Sequence, residues 1–450
     1  MGYRDDARWA PAYGAGTVIL IAPALWNGFA LLQWDTGGYL ARWYEGYLVP
    51  SRAVVYGLIL IAGEPLAFWP VLLLQSLLTI WVIALMLRAH GLGRRPWLLL
   101  GIVAVLSVIT TLPWLTSILL TDIFCGLGVL ALYLLLLCPG ALTRRERLGL
   151  IVLIAVSAAT HSATLAVLLA LVAAGAVFCL IDRRQMPFAR LGNGVLALAL
   201  GAIMVLSADF IVAKQLVWTP GGFALSFGRM LQDGIVKKYL DEHCPVPELK
   251  LCAYKDKLPD DADVWFWGSP LFNSLGRFAG LDPEMEKIAV RSLIEYPGLQ
   301  AETAAIATAR QLIEVHTGEG VINKVWHTYG IIRQYTPHVA PIMRGARQQQ
   351  GEIDFAAINL LHYPIALLSM VLLPLIVWLA RRKTLPSEIG ELAATVATAL
   401  LANAFICGAL SNPHDRYGAR MIWLAAFVVI LALAQRRTTR QDSVLGRPAK

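Results

Sequence analysis

Long apolar segments, separated by short connections, run through most of the chain. A segment of about 17–25 apolar residues is long enough to cross a bilayer as a helix. The pattern predicts ten helical spans. They lie near 14–32, 66–87, 97–113, 115–137, 149–160, 162–180, 195–213, 357–380, 389–410 and 420–435.

The fifth and sixth spans form one apolar stretch that is interrupted at Thr160-His161-Ser162. Basic residues decide between one span and two, because cytoplasmic connections of membrane proteins are enriched in Lys and Arg. With two spans, both termini lie inside and every inside connection is basic. A single span would place Arg183 to Arg190 outside. The inside basic residues are Arg4, Arg8, Arg88, Arg94, Arg95, Arg144, Arg145, Arg147, Arg183, Arg184, Arg190, Arg381, Arg382, Lys383, Arg436, Arg437 and Arg440.

A hydrophilic stretch from about Lys214 to Asp354 interrupts the spans and is expected outside the cytoplasm. The chain is therefore divided into three regions. They are an N-terminal membrane region 1–213 with a first outer loop 33–65, an extracytoplasmic domain 214–355, and a C-terminal membrane region 356–450 with a cytoplasmic tail.

The outer domain is expected to be mainly helical. Leu225–Leu240 and Pro283–His316 have helical periodicity, and Asp282 is placed to cap a helix that starts at Pro283. Cys244 and Cys252 are expected to form a disulfide if the domain is extracytoplasmic, and are otherwise two unpaired surface thiols.

Composition agrees with this organisation: 57% of the residues are hydrophobic and only 15% are charged, against about 25% charged in a typical soluble domain. The fold class is therefore an all-α polytopic membrane protein. The formal net charge of +8 reflects the basic inside connections and does not indicate nucleic-acid binding. Gly14–Leu32 is long enough to remain as a span and not to be cleaved as a signal peptide.

Polar residues at or near membrane depth gather on the predicted outer side. Asp35 follows the first span, and Asp122 lies within the fourth, roughly 10 Å below its outer end at about 1.5 Å per residue. Ionised groups in a membrane usually face a cavity or a partner. The further members of this set are His161 at the break between spans, Asp209 near the end of the seventh span, and His414, Asp415, Arg416 and Arg420 at the start of the last.

Each of these residues also has a simpler interpretation. Asp122 could bond a neighbouring helix, and His161 could satisfy the backbone at the helix break. Asp209 could be an interfacial residue, while Arg416 and Arg420 could reach lipid headgroups.

One reaction would use the whole set: transfer from a lipid-linked phosphate donor to an acceptor at the outer leaflet. Asp35 would take the proton of the acceptor, and Arg416 would stabilise the charge that grows on the leaving phosphate. Nucleotide motifs and zinc-ligand spacings are absent from the sequence. The acidic pair Asp261-Ala262-Asp263 is interpreted as a solvated turn, so no cofactor is expected, although a divalent metal stays possible.

Several segments, in order, resemble the GT-C superfamily of integral-membrane glycosyltransferases, which includes protein O-mannosyltransferases and aminoarabinose transferases of lipid A. WDTGGYL resembles the acidic first outer loop of that family, and VPSRAVVYGLIL the segment that follows it. LLLQSLLTIWVIALML, with Gln75, resembles the second span, and LTSILLTDIFCGLGVLALYLLL the span with a second acid. IVLIAVSAATHSATLAVLLALV is similar to the broken helix pair, and DRYGARMIWLAAF to the C-terminal Arg-Tyr element.

The resemblance implies transfer of a sugar from a polyprenyl-phosphate-linked donor to an envelope glycan, lipid or protein in a bacterial inner membrane. Together with the polar residues that gather on the outer side, it assigns Asp35 and Asp122 to catalysis, and Arg52, Arg416 and Arg420 to the donor phosphate. The substrate-binding residues would be Tyr39, His161, His414 and Tyr417. Glu45 and the other tyrosines of the first loop are expected to form an amphipathic interfacial lid.

This chain departs from the family pattern in three ways. Thr36 follows Asp35 where many members have a second acid, which weakens any metal site. His161 replaces the usual basic residue of the helix break, and the large outer domain precedes the last three spans.

Three other functions stay open. An O-antigen ligase or polymerase would place its chemistry in the large loop, with Arg310 and His316 as candidates. A transporter or flippase would have inverted repeats and polar residues at mid-depth. A structural subunit of an envelope complex would use the outer domain as its interaction surface.

Overall fold

All regular secondary structure is helical in the computed structural model, which describes residues 9–49, 52–93, 95–181, 187–219 and 221–444, with side chains to residue 436. The helices of the N-terminal part are α1 (Trp9–Leu20), α2 (Ala22–Asn27), α3 (Trp34–Glu45), α4 (Val55–Gly63), α5 (Trp69–Ala89), α6 (Pro96–Ile109), α7 (Leu112–Ser117), α8 (Asp122–Leu137), α9 (Arg144–Thr160), α10 (Ser162–Ile181) and α11 (Phe188–Ala213).

The large hydrophilic stretch and the last three apolar segments are helical too. The next helices are α12 (Gly222–Gln232), α13 (Ile235–His243), α14 (Pro270–Ser274), α15 (Arg277–Glu295), α16 (Pro297–Ile313), α17 (Trp326–Tyr335), α18 (Ala340–Gly345), α19 (Arg347–Gln350), α20 (Phe355–Arg381), α21 (Ser387–Leu410) and α22 (Asp415–Val444). Short 3₁₀ helices lie at Glu64–Leu66, Pro139–Ala141 and Lys250–Lys257, and a π-helical turn at Val264–Gly268.

Six helices within the described ranges are long and apolar enough to cross a membrane. They are α5, α10, α11, α20, α21 and the segment Asp415–Arg436 of α22. The chain is therefore an all-helical membrane protein, but helix length alone does not establish ten spans. The other predicted spans are shorter helices or are broken. Several basic residues of the predicted topology, among them Arg4, Arg8, Arg94, Arg183 and Arg184, lie outside the described residues.

The first and fourth predicted spans are not single helices. Segment 14–32 is divided between α1 and α2, and its end is extended: Leu31 pairs with Ile118 in an isolated parallel bridge. Segment 115–137 contains α7 and α8 with non-helical residues between them. Gln75, buried in α5, stabilises this break because its side-chain amide donates to the carbonyls of Thr116 and Ile118 at 3.2 and 3.1 Å. Such carbonyls would otherwise be unsatisfied in an apolar environment.

The helix pair broken at His161 is present, since α9 ends at Thr160 and α10 begins at Ser162. The expected helix start at Asp282 is wrong. Helix α15 begins at Arg277 and contains Pro283. The helices are instead separated at Tyr296, and Pro297 is the first residue of α16. Proline suits this position because it has no backbone N–H that would need a partner.

The region 214–355 consists of two parts. Its first part has its own apolar core, built from α12, α13 and α15 around Trp265, and contains a disulfide between Cys244 and Cys252. Its second part packs on the membrane region: α16 lies along α21, and α17 lies against α3.

Candidate functional site

Helix α3 fixes the position of Asp35, because the turn before it is held by a reciprocal capping box. The Gln33 side chain accepts a hydrogen bond from the backbone N–H of Asp35 at 2.7 Å, and the Thr36 hydroxyl accepts one from Gln33 at 3.1 Å. Asp35 therefore lies in the first turn of a short helix that is outside the six apolar helices.

The Gly-Gly pair of this helix has a packing role. A Cβ on Gly37 would lie 2.7 Å from the Cα of Thr328 on α17. Glycine therefore allows the second part of the loop to approach closely, and the Thr328 hydroxyl donates to the Gln33 carbonyl at 2.9 Å. The second part of the region 214–355 therefore packs directly beside Asp35.

A chain of four charged side chains forms the centre of the site. Arg52 binds one oxygen of Asp35 at 2.5 Å, and Arg416 binds the other at 2.5 Å. The Nε of Arg416 binds Asp122 at 2.8 Å. Residues that are distant in sequence are therefore joined in the order Arg52, Asp35, Arg416 and Asp122. The side chains are 18%, 14%, 10% and 2% exposed, so the ion pairs are largely shielded from solvent.

Asp122 is placed differently from the prediction. It is the first residue of α8, and therefore does not lie a few turns inside a continuous span. The reason is the extended segment that pairs with Leu31 and precedes Asp122. This placement brings the Asp122 carboxylate to Arg416 at the start of α22.

Arg420 lies one turn after Arg416 and is fully buried. Its guanidinium donates to the Asn403 side chain at 2.7 and 3.2 Å and to the Cys407 sulfur at 3.3 Å. No carboxylate forms an ion pair with it in the part of the chain that the structure describes, and its Nη1 has no partner. The Nη2 of Arg416 is also buried without a partner among the residues that the structure describes. A buried N–H group without a partner is destabilising, and these two groups are placed to donate to a bound anion.

Electrostatics keep Asp35 ionised. Burial alone would raise the pKa of its carboxyl, but the positive charges of Arg52 and Arg416 outweigh burial and lower that pKa to about 2. His161 has the opposite balance: burial and the nearby Arg420 and Arg416 lower its pKa, so its imidazole is neutral at physiological pH. Its Nδ1 accepts a hydrogen bond from the backbone N–H of Ala163 at 3.2 Å.

The remaining predicted binding residues lie around this centre. The ring of Tyr39 is buried and packs edge-on against Tyr56, with 5.5 Å between the centroids. The ring of Tyr417 is 5.9 Å from the Arg416 guanidinium and 5.4 Å from that of Arg420. Glu45 lies elsewhere, because it pairs with Arg42 at 2.5 Å.

Glu319 is a site residue that sequence reasoning missed. Its carboxylate accepts a hydrogen bond from the backbone N–H of Arg416 at 2.7 Å and contacts His414 Nδ1 at 2.8 Å. The sequence has no motif around Glu319, and only the docking of the loop on α22 brings it here. Asp263 lies 3.3 Å from His414 Nε2, so the acidic pair interpreted as a solvated turn contributes one acid to this cluster.

The His414 cluster gives a pH-dependent link between the loop and α22. Burial alone would lower the pKa of His414, but its bonds to Asp263 and Glu319 outweigh burial and raise that pKa to about 10. Because the folded pKa exceeds the ordinary value of 6.5, the stabilisation is fully present below pH 6.5 and is lost as the pH rises toward 10. The midpoint of thermal unfolding should therefore differ most between wild type and His414→Asn at low pH, and the difference should shrink between pH 6.5 and 10.

His338→Asn is the matched control for this measurement. His338 is an exposed histidine of the same loop that contacts Glu64 at 3.3 Å, and an exposed ion pair contributes little. Its effect on the unfolding midpoint should be small at every pH. A His414→Asn difference that is constant or grows from pH 6.5 to 10 would contradict the proposed charge on His414.

The two residues favoured for an O-antigen ligase, Arg310 and His316, have different partners. Arg310 is exposed and pairs with Glu314 at 2.6 Å. His316 contacts the Asp415 carboxylate at 2.8 Å, and its ring stacks on Tyr363 at 4.0 Å between centroids. His316 thus lies next to the residue that precedes Arg416. Within the described ranges, no group of three or more His, Cys, Asp or Glu side chains is arranged to hold a metal ion.

The site thus combines two carboxylates, an arginine that bridges them, and a second buried arginine without a carboxylate partner among the described residues. Such an arrangement can bind an anion and offers carboxylates that can accept a proton. Comparisons with protein-family models, with curated proteins and with solved structures find no match to this chain.

Proposed function

We propose that the protein is an integral-membrane glycosyltransferase that moves a sugar from a polyprenyl-phosphate-linked donor to an acceptor in the cell envelope. The observation that carries the proposal is Arg416, held between the carboxylates of Asp35 and Asp122 and one helical turn from Arg420, whose Nη1 is buried without a partner among the described residues. A buried charge is destabilising unless an opposite charge or a bound ligand interacts with it. A lipid-linked phosphate has the negative charge that this site lacks.

Arg416 and Arg420 are the proposed phosphate ligands. They are spaced four residues apart on α22, so their side chains leave the same face of the helix. Each has a buried N–H group without a partner in the described part of the chain, and guanidinium groups bind phosphate oxygens with strong, charge-assisted hydrogen bonds. These donors would also stabilise the charge that grows on the phosphate when the bond to the sugar breaks.

Asp35 is the proposed base, and donor binding would activate it. With Arg52 and Arg416 both bound to it, its carboxylate is a weak base because its pKa is about 2. A phosphate bound to Arg416 would compete with Asp35 for that guanidinium group, and the pKa of Asp35 would then rise toward the range suited to proton transfer. The carboxylate would accept the proton of the acceptor hydroxyl only when the donor is in place, which would limit wasteful hydrolysis.

The proposed topology places this site on the extracytoplasmic face of a bacterial inner membrane. It has ten spans and cytoplasmic termini, with the region 214–355 outside. The positive-inside distribution of basic residues supports it, as does the position of Asp35 on a short helix outside the six apolar helices. The partners would be a polyprenyl-phosphate-linked sugar, membrane lipid and an envelope acceptor.

An O-antigen ligase or polymerase is the second candidate, favoured by the contact between His316 and Asp415. A histidine held by a carboxylate is a common general base. The two enzymes differ in their essential residue. Loss of transfer with Asp35→Asn but not with His316→Ala supports the first candidate, and the reverse supports the second.

Anion binding by Arg420 gives a direct test. Arg420→Gln should lower the affinity for polyprenyl phosphate at least about tenfold, because a charge-assisted hydrogen bond contributes about 1.5–3 kcal/mol. The affinity for the uncharged alcohol polyprenol should not change. Both affinities can be measured by microscale thermophoresis on protein in lipid nanodiscs.

Arg382→Gln is the matched control, because Arg382 is an exposed arginine just beyond the end of α20. It should bind both lipids as the wild type does, and Arg420→Lys should keep part of the preference for the phosphate. If Arg420→Gln binds polyprenyl phosphate as tightly as the wild type, Arg420 is not a phosphate ligand.

A further inference from the structure

The basic segment, residues 320–351, contains α17, α18 and α19 and has an unusual charge pattern. It includes four Lys and Arg residues and no Asp or Glu. Residues 222–296, by contrast, include twelve Asp and Glu and nine Lys and Arg. The positive charge of the region 214–355 is therefore concentrated in this segment, part of which packs on α3.

The positive charges of the basic segment face outward. Lys324, Arg333, Arg344 and Arg347 are all exposed. Arg347 pairs with Glu352 at 2.6 Å, whereas the other three form no ion pair with any residue that the structure describes. Basic side chains without acidic partners attract an anionic molecule or surface.

Apolar side chains are exposed among these charges. Trp326 is 75% exposed, and Ile322 and Ile342 are 45% and 49% exposed. Trp326 and Arg333 are seven residues apart on α17 and therefore lie on the same face of that helix, while the buried Thr328 faces α3. A soluble acidic partner would need only the charges, whereas exposed Trp beside Lys and Arg is typical of a membrane interface.

The basic segment is bound to the end of α2, in the first apolar segment of the chain. The Nε of Arg347 donates to the Trp26 carbonyl at 3.0 Å, and its guanidinium lies 5.1 Å from the centre of the Trp26 ring. The backbone N–H of Gln348 donates to the Asn27 side chain at 2.7 Å. Leu25 and Trp26 are themselves exposed, as side chains that face lipid would be. The segment thus lies where an apolar, lipid-facing surface ends.

We infer that the basic segment docks on the membrane surface, where its Lys and Arg side chains bind anionic lipid headgroups and its exposed Trp and Ile side chains enter the headgroup layer. Basic residues close to an anionic membrane each add to such binding. This lipid-binding surface is separate from the Arg416 site and does not depend on the proposed sugar transfer.

Lipid bound to the basic segment would also stabilise the turn before Asp35. The Thr328 hydroxyl donates to the Gln33 carbonyl at 2.9 Å. The Gln348 side chain accepts a hydrogen bond from the backbone N–H of Leu32 at 2.9 Å and donates to its carbonyl at 2.6 Å. Because a ligand that binds only the folded state stabilises it, anionic lipid should raise the unfolding midpoint.

Brominated lipids, which quench tryptophan fluorescence on contact, test the inference. The protein is placed in nanodiscs of an equal mixture of phosphatidylglycerol and phosphatidylcholine, with bromine on one lipid or on the other. The signal of Trp326 is the difference between a protein and the same protein with Trp326→Phe. Brominated phosphatidylglycerol should quench Trp326 more strongly than brominated phosphatidylcholine. A triple variant with Lys324→Gln, Arg333→Gln and Arg344→Gln should lose at least about fivefold of this preference.

The matched control is a triple variant of exposed basic residues in the first part of the region 214–355, with Lys257→Gln, Lys287→Gln and Arg291→Gln. It should keep the preference. In phosphatidylcholine alone, both triple variants should unfold at the wild-type midpoint, which shows that they are folded. Phosphatidylglycerol should raise the midpoint of the wild type and of the control variant, but not that of the first triple variant.

Three results would overturn the inference. Equal quenching of wild-type Trp326 by the two brominated lipids would show that the surface does not select anionic headgroups. An unchanged preference in the first triple variant would show that its basic residues do not bind them. Absence of quenching by either lipid would place the segment away from the membrane and favour a soluble acidic partner. Each result leaves the proposed sugar transfer untouched.

Discussion

Replacing Arg416 by glutamine is expected to have the largest effect of any single substitution, on both stability and activity. Among the described residues, the change leaves Asp35 with one ion-pair partner and Asp122, which is 2% exposed, with none. Removing one partner of a buried ion pair costs about 3–5 kcal/mol. The unfolding midpoint should fall sharply, and the proposed sugar transfer should be undetectable.

A double variant separates the two effects. Asp122→Asn combined with Arg416→Gln removes both charges, so most of the lost stability should return while transfer stays absent. Arg310→Gln is the control for a lost arginine, because Arg310 is 61% exposed in its pair with Glu314 and such pairs contribute at most about 1 kcal/mol. An Arg416→Gln protein as stable as the wild type would contradict the buried ion-pair chain.

Gly418→Ala is expected to have the second-largest effect, through the position of Arg416. A Cβ at Gly418 would lie 2.0 Å from the carbonyl oxygen of Glu314, which is a backbone atom and cannot rotate away. The start of α22 would have to move from the loop segment that carries Glu319. Such overpacking costs about 1–3 kcal/mol, and a misplacement of about 1 Å can lower a rate about 100-fold. The rate of transfer should therefore fall more than the unfolding midpoint.

Gly101→Ala is the matched control, because its added Cβ would meet no described atom within 4 Å apart from its chain neighbours and the backbone of its own helix. Both the unfolding midpoint and the transfer rate should stay near the wild-type values. Transfer by Gly418→Ala at the wild-type rate would show that the contact between α22 and the loop does not position Arg416.

The helical membrane class could be predicted from the sequence because apolar segments of spanning length are a direct property of composition. The break at His161 was also visible, since Thr160 to Ser162 interrupts an apolar run. The irregular elements could not be predicted from the sequence. The extended backbone at Leu31 and Ile118 depends on pairing between distant segments and on the side chain of Gln75. An apolar pattern cannot distinguish such a segment from a helix.

The residues of the candidate site, too, could be predicted only in part. Asp35, Asp122 and Arg416 could be selected because charged groups are rare in apolar surroundings, and the structure brings them into contact. Glu319 and Asp263 could not be selected, because acidic residues are ordinary in a hydrophilic loop. Only the docking of that loop on α3 and α22, through close approaches at Gly37 and Gly418, gives them a role.

The roles assigned to these residues are proposals, and sugar transfer by the purified protein tests them most directly. Wild-type protein in nanodiscs is incubated with radiolabelled polyprenyl-phosphate hexoses and an envelope extract as acceptor, and labelled product is measured over time. The proposed function predicts label in an acceptor with the wild type, and a rate about 100- to 10,000-fold lower with Asp35→Asn. No transfer from any donor that the wild type binds, or equal transfer by Asp35→Asn, would contradict it.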